Sequence, residues 1–190
     1  LPPASLMVLR RGQDVPQPRR YWDVDLSGEI EGSETQIAEE LLERLREAVD
    51  IRRVSEVPIG AFASGGVDSS AVVALMAQVS DEPINTFNIA FRAKAFEESP
   101  FAAAHAGRYG TRHTVRELDS DGFDLIDRLA DMFDEPFGDS SALPTYRVSA
   151  TAREHVTVIQ SGDGGDELFA GYRRYLWHTR EERVRGLLPA

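Results

Sequence analysis

The apolar positions between residues 33 and 51 recur at the spacing of one face of an α-helix. They are Ile37, Leu41, Leu42, Leu45 and Val49. Ser33 precedes this stripe, and Gln36 lies three residues after Ser33, which is the sequence signature of a capping box. The pattern therefore predicts an amphipathic helix that begins at Ser33 and packs its apolar stripe on a core.

Strand-like and helix-like patterns alternate along the rest of the chain. Strands are predicted over residues 57–63, 84–91, 111–118 and 156–160. Helices are predicted over residues 69–79, 100–109, 123–132 and 143–154. This alternation predicts parallel strands joined by crossover helices, which is an α/β fold with a doubly wound sheet and flanking helices. Ligands of such sheets bind beyond the carboxyl ends of the strands, so the loops after Ala63 and Gln160 are the first places to search.

Residues 1–32 lack the alternation of strand and helix patterns that the rest of the chain shows. A short apolar strand is predicted over residues 6–9, and turn-forming residues dominate 13–18 and 27–33. The pattern predicts the end of a preceding domain and a linker over residues 1–32. A second domain is predicted over residues 33–190.

The composition excludes cysteine-based sites and disfavours some classes of partner. The 190 residues contain no cysteine, which excludes a disulfide, a thiolate metal site and a thiol nucleophile among them. A formal net charge of −11 disfavours nucleic acid as a partner, because binding to a phosphate backbone needs a basic surface. With no long apolar run and no export signal, we expect a soluble, cytoplasmic protein without a membrane partner. Lys94 is the one lysine, and we expect it to be a solvated surface charge.

The loop after the first predicted strand has the chemistry of a phosphate site. This segment, residues 64–70, reads SGGVDSS and is called loop A. Its candidate ligand-binding residues are Ser64, Gly65, Gly66, Asp68, Ser69 and Ser70. Glycines let the backbone amides point into the loop beside a helix N-terminus, and the serines add hydroxyl donors, which suits a pyrophosphate. Asp68 would repel phosphate unless a cation lay between them, so we interpret it as a Mg²⁺ ligand. The alternative is a turn in which Asp or Ser caps the next helix.

A second loop of related composition follows the last predicted strand. Residues 161–167 read SGDGGDE and are called loop B. Its candidates are Ser161, Gly162, Asp163, Asp166 and Glu167. Three carboxylates exceed what a helix cap needs, which favours a second loop that faces the metal. If both strands end at the same edge of the sheet, Asp68 and Asp166 can share Mg²⁺ around one triphosphate. The alternative is an acidic surface turn.

Several segments together resemble one enzyme family. They read VPIGAFASGGVDSS, TFNIAF, FEESPFAAAHAGRYGTRH, DEPFGDSSALPTY and SGDGGDELFAGYRRY. They are similar to the synthetase domain of glutamine-hydrolysing asparagine synthetases. The resemblance implies an adenine nucleotide alpha hydrolase-like fold, as in PP-loop ATPases, with ATP and Mg²⁺ as cofactors.

The resemblance also assigns roles to residues. In the family, loop A binds the pyrophosphate of ATP, and the residues that match the two Mg²⁺ ligands are Asp68 and Asp166. Backbone groups at positions that correspond to Phe62 and Ile89 hold the adenine, and Ser161 and Gly162 meet the ribose side. Asp163 stands where the family often has Glu, at a position associated with forming the β-aspartyl-AMP intermediate. The acceptor and ammonia end of the pocket corresponds to Asp139, Ser140 and Ser141, with Glu167 as a further substrate contact, although a capped helix start also explains Asp139, Ser140 and Ser141.

The implied reaction is the ATP-dependent amidation of aspartate to asparagine through β-aspartyl-AMP, which releases AMP and pyrophosphate. In the family, ammonia comes from glutamine hydrolysed by an N-terminal domain with a cysteine nucleophile. Residues 1–32 resemble the end of that domain and its linker. Residues 33–190 resemble a synthetase domain that ends before the lysine with which the family neutralises charge during adenylation. We therefore expect a fragment that is inactive alone. Expected partners are ATP, aspartate and ammonia, and a homodimer is an assembly the resemblance allows.

Three alternatives remain open at this point. The same adenylation could serve another carboxylate, as in β-lactam synthetases or cell-envelope amidotransferases. A tRNA-acting ATP pyrophosphatase is disfavoured by the acidic charge and by loop B. A catalytically silent nucleotide-binding module is disfavoured because Asp68 and Asp166 are both present.

Overall fold

A computed structural model describes residues 1–25, 27–28, 30–91, 99–118 and 125–186. The chain divides into two compact units, Leu1–Leu41 and Leu42–Ala190. Lys94 lies outside the described residues, as do the first two residues of the helix predicted over 123–132.

The first unit contains a two-stranded antiparallel pair and the beginning of helix α1 (Glu34–Ile51). The pair joins β1 (Ser5–Leu6) to β2 (Arg19–Arg20). The strand predicted over residues 6–9 is therefore wrong in its bounds, because Val8 and Leu9 are exposed and pair with no neighbouring strand. The sequence pattern also missed β2, whose two arginines carry no apolar alternation.

The capping box at the start of α1 is confirmed. The backbone N–H of Ser33 donates to Gln36 Oε1 at 2.9 Å, and the backbone N–H of Gln36 donates to Ser33 Oγ at 3.3 Å. These two bonds satisfy amides that have no partner inside the helix. Further along α1, Val49 is buried and Leu45 packs against the same cluster, so the end of the predicted stripe contacts the core of the second unit.

The second unit is built on a four-stranded parallel sheet. Its strands are β3 (Ile59–Phe62), β4 (Asn85–Phe91), β5 (Arg112–Leu118) and β6 (Val158–Gln160), in the spatial order β5-β4-β3-β6. The helices that follow α1 are α2 (Val67–Gln78), α3 (Ser99–Tyr109), α4 (Ile126–Met132), α5 (Ala142–Arg153), α6 (Gly165–Phe169) and α7 (Arg173–Arg185). The order reverses between β3 and β6, which is the switch point of the sheet.

Side chains alternate between the two faces of β3. Ala61 belongs to a cluster with Val73 and Met76 of α2, whereas the adjacent Phe62 packs with Phe87 and with Ala152 of α5. Successive residues of a strand point to opposite faces, so α2 and α5 cover opposite sides of the sheet. The predicted doubly wound α/β fold is confirmed.

All four strands of the sheet are shorter than predicted, and helices α6 and α7 lie outside the predicted helix ranges. β3 begins at Ile59 and not at residue 57, because Pro58 has no N–H for the ladder and contributes only its carbonyl, which accepts from Thr157. β6 begins at Val158, since the preceding residues still belong to the turn that closes α5. Within the described ranges, no helix has the length and apolar character needed to cross a membrane.

Gly60→Ala is expected to destabilise the protein. A Cβ at this position would lie 2.8 Å from the Asn85 carbonyl oxygen and 2.8 Å from Phe87 Cε2, so strands β3 and β4 would have to separate. We expect a loss of about 1–3 kcal/mol in the free energy of unfolding, the usual cost of overpacking. The measurement is the midpoint of urea unfolding at unchanged slope.

Gly107→Ala is the matched control. Gly107 lies within α3, and its Cβ would meet nothing within 4 Å. Alanine there should be neutral or stabilise the helix by up to about 1 kcal/mol. Equal midpoints for Gly60→Ala and the unmodified protein would contradict the packing described between β3 and β4.

Candidate functional site

A cleft of about 460 Å³ opens at the carboxyl ends of the strands that flank the switch point. Loop A contributes Ser64, Gly66, Asp68 and Ser69, and every residue of loop B lines the cleft. β3 and β6 are parallel neighbours with Ala61 opposite Gln160, so both loops leave the same edge of the sheet. This is the arrangement that sequence reasoning required if Asp68 and Asp166 are to serve one ligand.

Loop A is shaped by its glycines and serines. Gly65 has φ +95°, a left-handed conformation that glycine adopts without strain. The Ser64 and Ser69 hydroxyls lie 2.8 Å apart, and the Gly66 N–H donates to Ser64 Oγ at 3.2 Å. Gly66 is the N-cap of α2 and no side chain caps that helix, so Asp68 is not engaged as a helix cap. Gly65 and Ser70 belong to the loop but do not line the cleft.

Loop B is a tight turn that ends in the short helix α6. Gly164 has φ +90°, and the N–H of Gly165 donates to the carbonyl of Gly162 at 3.2 Å. The Ser161 hydroxyl donates to Asp163 Oδ2 at 2.8 Å, which fixes the direction of that carboxylate. The loop therefore presents Asp163, Asp166 and Glu167 along one wall of the cleft.

The two loops touch at a point where only glycine fits. A Cβ on Gly162 would lie 2.6 Å from the Ser69 nitrogen and 2.8 Å from the Asp68 carbonyl carbon. Backbone atoms cannot turn aside as the end of a side chain can, so any larger residue would push the loops apart. The N-terminus of α2 and loop B thus form a single surface.

The lining of the cleft is acidic. Asp68, Asp163, Asp166 and Glu167 contribute carboxylates, and no Arg, Lys or His lines it within the described ranges. Oxygen donors of this kind suit Mg²⁺, which is commonly held by one or two carboxylates together with phosphate and water. Among the residues that the structure describes, no three His, Cys, Asp or Glu side chains group closely enough to hold a metal without such help. The donor set therefore fits a Mg²⁺ that arrives with a phosphate ligand.

Glu167 has a defined partner outside the loops. The Tyr172 hydroxyl donates to Glu167 Oε1 at 2.7 Å, and this bond lowers the pKa of Glu167 and raises the pKa of Tyr172. Arg174 Cζ lies 4.0 Å from the centre of the Tyr172 ring, and its charge also lowers the pKa of Glu167. Glu167 is therefore held as a carboxylate at the mouth of the cleft.

The positions predicted for the adenine lie at the ends of β3 and β4. Phe62 and Ile89 both line the cleft, as do Phe87 and Asn88. The backbone N–H of Ile89 donates to the Asn88 side-chain oxygen at 2.7 Å, so this amide already has a partner. Sequence reasoning did not name Asn88, although it directly precedes Ile89 in the same predicted strand.

The structure does not bring the predicted acceptor contacts Asp139, Ser140 and Ser141 into this cleft. Asp139 and Ser140 line a separate cavity of about 590 Å³ beside α4 and the start of α5. The Ser141 backbone N–H donates to Asp139 Oδ1 at 2.8 Å, and this bond lowers the pKa of Asp139. Their local geometry is that of a turn leading into α5, as the alternative interpretation described, and a substrate role for them stays a prediction.

Four further residues of α5 and the segment after α6 line the cleft, although none of them was a candidate site residue. They are Pro144, Thr145 and Val148 of α5, with Tyr172 after α6. Tyr172 lies within the segment GYRRY, so its proximity to loop B was a usable signal. The α5 residues reach the cleft through the packing of α5 on the sheet, which only the tertiary structure reveals.

Comparison with known proteins places this site in a family. The Asparagine synthase family model matches residues 40–189. A protein of Methanocaldococcus jannaschii, provisionally named asparagine synthetase 2 (glutamine-hydrolysing), is 44% identical over 153 residues, which cover 80% of this chain and 30% of that protein. Asparagine synthetase 1 (glutamine-hydrolysing) of Bacillus subtilis is 32% identical over 147 residues, which cover 77% of this chain and 23% of that protein.

The chain thus spans less than a third of the length of these two relatives. Among solved structures, NMN synthetase from Francisella tularensis superposes with a TM-score of 0.49 at 15% identity, over 75% of this chain and 59% of the other. Because the family model covers most of the sequence, including both loops, the chain belongs to the asparagine synthase family.

Proposed function

We propose that the cleft binds Mg·ATP and that the intact protein uses it to convert aspartate to asparagine through an acyl-adenylate. The observation that carries this proposal is the meeting of loops A and B in one acidic cleft at the switch point of the sheet. Membership of the asparagine synthase family supports the ATP-dependent ligase chemistry. The choice of aspartate rests on the same family membership.

The phosphates are proposed to lie against loop A. Its amides adjoin the N-terminus of α2, a twelve-residue helix whose dipole favours negative charge. Ser64 and Ser69 add hydroxyl donors beside those amides. The adenine is then directed to Phe62 and Ile89 and the ribose to Ser161 and Gly162, all of which line the same cleft.

Asp68 and Asp166 are proposed to hold Mg²⁺. The bound ion would supply charge neutralisation for the triphosphate. Without a cation, two carboxylates beside the phosphates would repel them, so the acidic lining and an anionic ligand are compatible only in its presence. The protein's contribution is to position these two groups from opposite loops.

The chemistry proceeds in two displacements. An oxygen of the aspartate side-chain carboxylate attacks the α-phosphorus, a new O–P bond forms, and the bond to the bridging oxygen breaks to release pyrophosphate. Ammonia then attacks the acyl carbon, a C–N bond forms, and AMP leaves with the former carboxylate oxygen. Ammonia loses one proton to solvent or a nearby base. Positioning and charge stabilisation account for catalysis of this kind.

Asp163 and Glu167 are proposed to face the acceptor. Both line the cleft, and neither is needed for Mg²⁺ in this scheme. Carboxylates attract an ammonium group, which favours an amino acid over a simple carboxylic acid. Asp163 stands where the family often has glutamate, however, so adenylation of another amino-bearing carboxylate is the second candidate function.

An assay with the intact protein separates these candidates. ATP, glutamine or ammonium, and a panel of carboxylates would be supplied, and pyrophosphate and amide product would be measured. Pyrophosphate release dependent on aspartate supports asparagine synthesis. Release dependent on another carboxylate supports the second candidate. Release that needs no carboxylate, or no release with any carboxylate of the panel, contradicts both.

Asp68→Asn and Asp166→Asn should each slow pyrophosphate release by about 10²–10³-fold, the usual effect of removing one charge-stabilising contact. The amide keeps the size of the side chain, so the urea midpoint should change little. The control is Asp81→Asn, at an exposed position away from the cleft. Near-normal turnover in either cleft variant would remove the metal role from that residue.

Tyr172→Phe should raise the pKa of Glu167 toward its ordinary value. The Tyr172 hydrogen bond is the main cause of the lowered value, because it stabilises the ionised carboxylate. The pKa would be followed by NMR of the Glu167 carboxyl carbon across acidic pH. Tyr175→Phe, which removes a neighbouring hydroxyl, is the control. Identical titrations for Tyr172→Phe and the unmodified protein would show that this bond is absent in solution.

A further inference from the structure

Gly165 lies directly against the carboxylate of Asp68. A Cβ on Gly165 would come 2.5 Å from Asp68 Cγ and 2.8 Å from each carboxylate oxygen. No other atom is as near, so the bare Cα of Gly165 forms the surface on which this carboxylate rests. Asp68 comes from α2 and Gly165 from α6, and the contact therefore joins the two loops through a side chain.

Gly171 has the same relation to Asp166. A Cβ on Gly171 would come 1.8 Å from Asp166 Oδ1 and 2.9 Å from its Cγ. The N–H of Gly171 also donates to the Asp166 backbone carbonyl at 3.0 Å. This bond closes the turn through Ala170, which has φ +56°. The turn brings the Cα of Gly171 against the carboxylate five residues earlier.

One short helix therefore sets the position of both carboxylates. α6 runs from Gly165 to Phe169, with Gly165 at its start and Gly171 just beyond its end. Asp68 and Asp166 are far apart in sequence, yet each rests on a glycine at or just beyond one end of α6. A shift of α6 would move both supports together.

The atoms that these glycines face differ from those that Gly162 faces. A Cβ on Gly162 would strike the backbone of Ser69 and Asp68, whereas the three atoms nearest to a Cβ on Gly165 all belong to the Asp68 carboxylate. The two atoms nearest to a Cβ on Gly171 belong to the Asp166 carboxylate, and the Cα of Asp166 would lie 3.2 Å away. The end of an aspartate side chain can rotate to another rotamer, while packed backbone cannot. Alanine at 165 or 171 should therefore redirect a carboxylate and leave the fold in place.

We propose that Gly165 and Gly171 are positioning residues that hold the Asp68 and Asp166 carboxylates in the orientation that binds Mg²⁺. This inference rests on the proposed function, in which those two side chains are the metal ligands. Mg²⁺ demands near-ideal octahedral geometry and tolerates displaced ligands poorly. Residues that orient metal ligands typically contribute about 10–100-fold to metal affinity.

The test measures Mg²⁺-dependent binding of ATP to the intact protein by calorimetry, with no turnover required. Gly165→Ala and Gly171→Ala should each raise the Mg²⁺ concentration for half-maximal ATP binding by about tenfold or more. Gly138→Ala is the control, since a Cβ there meets nothing within 4 Å and Gly138 does not line the cleft. Urea midpoints of the two variants should stay above that of Gly162→Ala.

A double-mutant cycle assigns each glycine to its carboxylate. Gly171→Ala should add little to the defect of Asp166→Asn, because that ligand is already lost, and should add fully to Asp68→Asn. Gly165→Ala should show the opposite pairing. Equal coupling of each glycine to both aspartates would overturn the assignment.

The remaining outcomes are also decisive. If the unmodified protein fails to bind ATP with Mg²⁺, the proposed function is wrong. If it binds but the glycine variants match Gly138→Ala, the function stands and the positioning role is wrong. A loss of stability in Gly165→Ala or Gly171→Ala as large as that of Gly162→Ala would show a structural role only, and would also overturn the proposal.

Discussion

At Gly162 the backbone of loop B runs so close to the start of α2 that a Cβ would lie 2.6 Å from the Ser69 nitrogen. This approach is possible because β3 and β6 are parallel neighbours and release their loops at one edge of the sheet. The strand order that makes them neighbours also creates the switch point, where a crevice must open. The cleft, the amides at the start of α2 and the placing of Asp68 beside loop B all depend on this one backbone contact.

The acidity of the cleft follows a second physical constraint. Carboxylates gathered at one surface repel one another, and a helix N-terminus with free amides attracts anions. A divalent cation between a phosphate chain and the carboxylates resolves both demands at once. Glu167 differs from the other carboxylates, since the Tyr172 hydroxyl and the Arg174 charge lower its pKa and stabilise its ionised form.

Sequence reasoning reached the fold, the two loops, and Phe62 and Ile89 of the cleft wall, but not the residues that α5 contributes. The helical stripe after Ser33 and the alternation of strands and helices are local patterns, so they could be recognised without coordinates. Pro58 shortens β3 because proline has no N–H for the ladder, which could have been predicted from the sequence. The sequence analysis had to assume that β3 and β6 end at the same edge of the sheet, because residues far apart in the chain determine their pairing.

Several features of the site were not predicted from the sequence. Val148 reaches the cleft through the packing of α5 on the sheet, and nothing in its local sequence reports it. Asn88 and Thr145 lie in segments that the resemblance already contained, although neither was named as a site residue. Asp139, Ser140 and Ser141 were linked to the acceptor by resemblance, whereas their contacts here are those of a turn before α5. The resemblance linked Gly162 to the ribose, but nothing predicted that Gly162 and Gly165 leave space for Ser69 and Asp68.

A crystal structure of the intact protein with Mg²⁺ and a non-hydrolysable ATP analogue tests the central claim most directly. The account predicts phosphates against Ser64 and Ser69, adenine beside Phe62 and Ile89, and the metal bound by Asp68 and Asp166. Nucleotide in another cavity, or a metal that contacts neither aspartate, would contradict it.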